Sequence, residues 1–183
     1  MGKKILVITG SYRKNGNSDR MADAFIKGAE QNGHTAVKFE AAHKTIQGCR
    51  ACDRCWSTGE ACCVNDDFRE LARLLESSDV LVLAAPLYWF SFPAPVKAAI
   101  DKLYAYGGAG GLRPLGIKES VLLLCGEGPD NGAYDGAVEM YKGSFGFLGI
   151  EDRGVVVTGG VGGAGDIEKT DGLKKAEQLG SKI

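Results

Sequence analysis

Short apolar runs alternate along this chain with longer stretches in which apolar positions recur every three or four residues. The runs are Lys4–Thr9, Ala36–Phe39, Val80–Ala85, Ser120–Cys125 and Gly154–Thr158, several of them nearly continuous Val, Ile and Leu. Strands covered on both faces read this way. Between them, Ser18–Asn32, Asp66–Ser77, Pro95–Tyr106, Tyr134–Leu148 and Asp166–Leu179 have helical character. In the first of these, Met21, Ala24, Phe25, Gly28 and Ala29 form one apolar stripe, and Ser18 is placed to cap it. Asp66 and Asp67 open the second helix and Asp166 the last, with the sign that suits a helix N-terminus. This alternation predicts an α/β fold: a doubly wound parallel sheet of five strands with helices on both faces, one domain over residues 1–183.

In such sheets ligands bind beyond the carboxyl ends of the strands. The loops expected there are Gly10–Asn17, Pro86–Ala94, Gly126–Ala133 and Gly159–Gly165, all rich in glycine, polar or aromatic residues. Two other segments are longer than a minimal connection. Thr45–Asn65 holds five of the six cysteines, and Gly107–Gly116 is glycine-rich and expected to be mobile.

Composition narrows the partners. A formal net charge of -1 argues against nucleic acid or an anionic membrane. The longest uncharged run, Val80 to Val96, contains three prolines and is too short to span a bilayer. The N-terminus enters a strand at once without an apolar leader, so a cytoplasmic location is expected. In a reducing compartment the cysteines are not read as disulfides.

The loop Gly10-Ser-Tyr-Arg-Lys-Asn-Gly-Asn-Ser18 joins the first strand to the first helix. A turn of this kind gathers backbone N–H groups and hydroxyls at the positive end of a helix, where an anion binds. It is not a Walker A loop: the Gly10–Gly16 spacing is one residue too long, and Asn17 stands where the phosphate-binding Lys belongs. It also lacks G-x-G-x-x-G, which disfavours a dinucleotide here. A single terminal phosphate remains, held by Ser11, Asn17 and Ser18 with charge from Arg13; the alternative is a ligand-free turn. The aromatic loop Pro86-Leu-Tyr-Trp-Phe-Ser-Phe-Pro93 leaves a central strand on the same edge and suits a flat heteroaromatic ring.

These two loops, together with Cys49-x2-Cys52-x2-Cys55-x2-Thr-Gly, Asp66-Asp67, Lys97 and Asp101, resemble the NADPH-dependent FMN reductase family. That family belongs to the flavodoxin-like flavoproteins and includes iron–sulfur flavoproteins. The resemblance implies strand order 2-1-3-4-5 and bound FMN. It also implies a homodimer or homotetramer whose partner subunit helps close the flavin site. Carried over by position, Ser11, Arg13, Asn17 and Ser18 match the phosphate loop, and Pro86, Leu87, Tyr88 and Trp89 match the segment along the isoalloxazine ring. Gly126 and Gly128 would let backbone approach the ring. Tyr12 departs from the family, which often has proline there.

Cys49, Cys52, Cys55 and Cys62, with Cys63 adjacent, form a compact thiolate array. It resembles the segment that holds a [4Fe–4S] cluster in iron–sulfur flavoproteins. Zinc could use the same sulfurs, and free thiols in a loop beside the flavin are the third reading. Cys125 reads as a buried small hydrophobe, His34 as a solvated turn residue, and Lys97 with Asp101 as a surface pair. The expected activity is an FMN-dependent oxidoreductase. It would pass electrons from NAD(P)H to a small-molecule acceptor such as a quinone, or to a redox protein, with no catalytic acid or base required. The rivals are an electron carrier using FMN and a [4Fe–4S] cluster, and a flavin-free module with a zinc-bound cysteine loop.

Overall fold

The computed structural model describes residues 2–107 and 113–183. Residues 108–112 of the glycine-rich stretch expected to be mobile lie outside the described residues. Five strands, β1 (Lys4–Thr9), β2 (Thr35–Glu40), β3 (Val80–Pro86), β4 (Glu119–Cys125) and β5 (Glu151–Thr158), alternate with five helices. These are α1 (Asn17–Glu30), α2 (Phe68–Ser77), α3 (Ala94–Asp101), α4 (Asp135–Phe147) and α5 (Gly172–Gly180). The strands form one parallel sheet in the order β2-β1-β3-β4-β5. β1 sits between β2 and β3, with Ile5 opposite both Ala36 and Val80.

Strand alternation splits the core into two layers. Leu6, Ile8, Leu81, Leu83, Leu122 and Leu124 pack on one face with Leu71 and Leu75 of α2, Val96 of α3 and Tyr141 of α4. Ile5, Val7, Val80, Val82, Val121 and Leu123 face the other way, against Met21 and Phe25 of α1 and Ala176 of α5. Both faces of the central strands are therefore dry, which is why β1, β3 and β4 show no polar alternation, whereas the edge strand β2 is largely exposed.

Several boundaries differ from the sequence expectation. The helix expected over Pro95–Tyr106 is α-helical only to Asp101, and Lys102–Tyr106 tightens into a 3-10 helix. The last expected helix divides into a 3-10 turn, Asp166–Lys169, and α5. β5 begins at Glu151, three residues before its apolar run, because its first residues lie exposed on an edge strand and carry charge. Ser18 is not the cap of α1. Gly16 occupies that position without a side-chain cap, and Ser18 lies inside the first turn.

Candidate functional site

The loops after β1, β3, β4 and β5 converge beyond the carboxyl edge of the sheet on a cavity of about 250 Å³. Its walls include Ser11, Arg13, Gly16, Asn17 and Ser18 on one side and Pro86, Leu87 and Tyr88 on another. Cys125, Gly126, Glu127, Val161 and Gly162 complete it. Backbone bonds fix this arrangement. Leu87 N–H donates to Cys125 O (2.7 Å), Gly126 N–H to Thr158 O (3.2 Å) and Val161 N–H to Gly126 O (2.8 Å).

Ser18 decides what the floor of this cavity can hold. Its Oγ is buried and has no hydrogen-bond partner. The first bond into α1 runs from Arg20 N–H to Gly16 O, so the N–H groups of Asn17, Ser18 and Asp19 have no intrahelical acceptor. An unpaired hydroxyl beside free N–H groups at a positive helix end is a donor set for an anion with several acceptor oxygens. Ser11 shapes the turn itself: its Oγ accepts from Arg13 N–H (3.1 Å). Arg13 donates from Nη1 to Gly162 O (3.0 Å), which brings its charge across the cavity mouth.

Asn17 corrects the expectation of a phosphate-contacting side chain. Its Nδ2 donates to Val161 O (3.2 Å) and Gly163 O (2.9 Å), and its Oδ1 accepts from the N–H of Gly165 (3.1 Å) and Ile167 (3.4 Å). The amide is saturated, and it staples the β5–α5 loop to the first turn of α1. What Asn17 can still offer an anion is its backbone N–H.

The aromatic loop divides. Pro86, Leu87 and Tyr88 line the cavity, whereas Phe92 is buried in the core. Trp89 does not line it: the residue is 93% exposed at the tip of a tight turn, with Phe90 beside it. Tyr88 and Ser91 exchange two backbone bonds (2.9 and 3.0 Å), and Trp89 and Phe90 adopt φ values of 48° and 63°. Two left-handed central residues are the geometry of a type I′ turn, which normally takes Asn and Gly. Gly128 also lies outside the cavity wall; its carbonyl accepts from the Tyr134 hydroxyl (2.8 Å). Gly126 is in place, and a side chain there would meet the Tyr134 hydroxyl at 3.0 Å. Glu127 and Val161 join the wall from two of the loops expected to carry the ligand, and Cys125, expected as a buried small hydrophobe, joins it from the end of β4. Burial pushes the Cys125 thiol up to about 12, so it stays protonated near neutral pH.

A second cavity collects the cysteine loop. Cys49, Cys52, Cys55, Cys62 and Cys63 line it together with Lys102 and Tyr104. The loop is anchored at several points. Asp66 accepts from Gln47 N–H (2.9 Å) and from the buried Lys102 ammonium (2.6 Å), and Asp67 accepts from Thr45 N–H (2.7 Å). Trp56 stacks on Tyr104 with ring centres 4.5 Å apart, and Arg113 donates to Gly59 O. Among the described residues, no three His, Cys, Asp or Glu side chains converge closely enough to hold a single metal ion. This does not favour the zinc reading. The five thiols line one cavity of about 20 Å³, which would have to widen to admit a four-iron cluster.

A family model described as flavodoxin-like fold matches residues 3–182. The chain belongs to this family. It is 35% identical over 191 residues to an iron–sulfur flavoprotein of Archaeoglobus fulgidus, an alignment covering 98% of this chain and 78% of that one. It is 25% identical to FMN-dependent NADH:quinone oxidoreductase 2 of Clostridium perfringens, over 98% of this chain and 99% of that protein. Among solved structures, NAD(P)H:quinone oxidoreductase from Methanothermobacter marburgensis superposes with a TM-score of 0.78 at 19% identity. That match covers 100% of this chain and 96% of the other, and it shows the shared fold. The sheet order is the one the resemblance implied, and no helix among the described residues is long and apolar enough to cross a membrane.

Proposed function

We propose that this chain is an FMN-dependent oxidoreductase that passes electrons from NAD(P)H through bound FMN to a small acceptor such as a quinone. The observation that carries this reading is the partnerless Ser18 hydroxyl, buried at the positive end of α1 in the floor of the first cavity. FMN supplies the hydride acceptor and electron carrier, and the protein contributes placement and electrostatics. Ser18 Oγ and the free N–H groups of the first turn bind the phosphate, with Arg13 balancing its charge. Pro86, Leu87 and Tyr88 line the wall against which a flat ring packs, and Gly126 keeps the opposite wall low. Glu127 is exposed at the mouth, where an incoming donor or acceptor meets it. The relatives named for FMN-dependent NADH:quinone oxidation support this assignment.

The cysteine cavity favours a second reading, in which Cys49, Cys52, Cys55 and Cys62 hold a [4Fe–4S] cluster that relays electrons. It rests on the thiol set and on the relatives named iron–sulfur flavoprotein. Exposed Trp89, Phe90 and Phe147 support a homo-oligomer, and unpaired thiols suit a cytoplasmic setting.

Anaerobically purified protein is expected to bind one FMN per chain and to oxidise NADH or NADPH when benzoquinone is supplied. Protein that takes up no FMN, or that binds it without quinone-dependent oxidation of either nucleotide, overturns the main reading. Iron and sulfide assays on the same sample test the cluster, which fails if Cys49→Ser leaves iron content unchanged.

A further inference from the structure

The loop carries five cysteines, one more than a four-thiolate set takes, and the fold brings Cys63 against Cys52. Cys63 Sγ lies 3.5 Å from Cys52 Sγ, eleven residues away in sequence. A disulfide needs a separation of about 2 Å, so roughly 1.5 Å remains to be closed, within reach of side-chain rotation and a small loop shift. Both residues are near the surface, open to a small thiol reagent.

The backbone on the Cys52 side is held in an uncommon shape. Ala51 and Asp53, its two neighbours, have φ values of 48° and 56°, left-handed for residues with side chains. Such conformations persist only where surrounding contacts impose them. Here Asp53 Oδ1 accepts from the Tyr104 hydroxyl (2.9 Å), and Trp56 donates from Nε1 to Tyr104 O (3.2 Å) while stacking on the same ring. On the Cys63 side, Asp66 is fixed by Lys102 and by Phe68 N–H (3.1 Å). Both arms are thus pinned to the region of α2 and the Lys102–Tyr106 turn, with the two sulfurs meeting between them.

We propose that Cys52 and Cys63 form a reversible disulfide that switches the loop between a thiol state and a closed, bonded state. The oxidant is a low-molecular-weight disulfide. The Cys52 thiolate attacks one of its sulfurs and expels one thiol. Cys63 then attacks the Cys52 sulfur of the mixed disulfide and expels the second. One S–S bond is consumed for the one formed, and the two protons lost by the protein end on the two released thiols. The bond removes Cys52 from the set with Cys49, Cys55 and Cys62, so the loop either closes it or presents all four thiolates to a cluster. The proposal is independent of the flavin assignment.

The test uses full-length protein shown by assay to hold no iron or zinc, reduced, desalted under nitrogen, and then treated with oxidised glutathione. The titre of thiols in the denatured protein should fall by two, peptide mapping should join Cys52 to Cys63, and a phosphine reductant should restore the original titre. Cys63→Ser should instead accumulate glutathione on Cys52 without an internal bond. An unchanged thiol titre, a majority bond between any other pair, or an internal bond forming in Cys63→Ser at the wild-type rate would overturn the proposal.

Discussion

Ser18 Oγ is buried with no partner, a state that destabilises a protein unless a ligand meets the hydroxyl. The Ser18→Ala variant separates binding from folding. Its FMN affinity should fall about 10- to 100-fold, the range for losing a hydrogen bond to a charged group. Its melting temperature without FMN should not fall, since no protein contact is lost. Calorimetric titration and thermal unfolding of the same preparation check both, and wild-type affinity in the variant counts against the phosphate site. That Ser11, Arg13 and Ser18 line the cavity was readable, because a Gly/Ser/Asn loop entering a helix lies at the carboxyl edge of the sheet. The role of Asn17 was not: its amide is consumed by Val161, Gly163, Gly165 and Ile167, more than 140 residues away, which no local pattern reveals.

At the scale of elements, the alternation of runs and stripes located all five strands and helices. It failed at their ends, where a 3-10 turn tightens after Asp101 or a charged edge strand extends beyond its apolar run. Trp89, which the family resemblance set along the ring, is carried into solvent by a two-residue turn that leaves Tyr88 on the cavity wall. Two left-handed aromatic residues in one turn store strain of about 1–3 kcal/mol each. Replacing them by the pair such turns prefer, Trp89→Asn with Phe90→Gly, should raise the stability of the dissociated subunit by about 1 kcal/mol in urea titration. FMN affinity should remain within a factor of about 2, since neither residue lines the cavity; a loss of tenfold or more would show that the tip reaches the ring.

Across the whole molecule, Glu76 at the end of α2 joins distant segments. It takes a bidentate pair from Arg113 (2.7 and 2.8 Å) and a hydrogen bond from Tyr106 (2.9 Å), and Arg113 also reaches Gly59 of the cysteine loop. Burial pushes the Glu76 carboxyl up, but the Arg113 guanidinium and the Tyr106 hydroxyl outweigh it and hold the group below its ordinary value. A depressed carboxylate stabilises the fold above its unfolded pKa of about 4.3 and loses that contribution as pH falls through the folded value. Glu76→Gln should therefore cost about 0.5–1 kcal/mol at pH 7, the pair being partly solvated, and the difference from wild type should vanish toward pH 3. Denaturant titrations at several pH values check this, and a gap that stays constant with pH would count against the charged pair.

Fold class was legible in the residues alone, and so was the loop proposed to hold an anion, since strand burial, helical spacing and the composition of a βα turn are local properties. The strand order came only with the family resemblance. Which side chains line the cavity, which are spent as staples, and which of five cysteines touch were decided by packing. Those outcomes depend on distances between segments far apart in the chain, and periodicity carries no information about them.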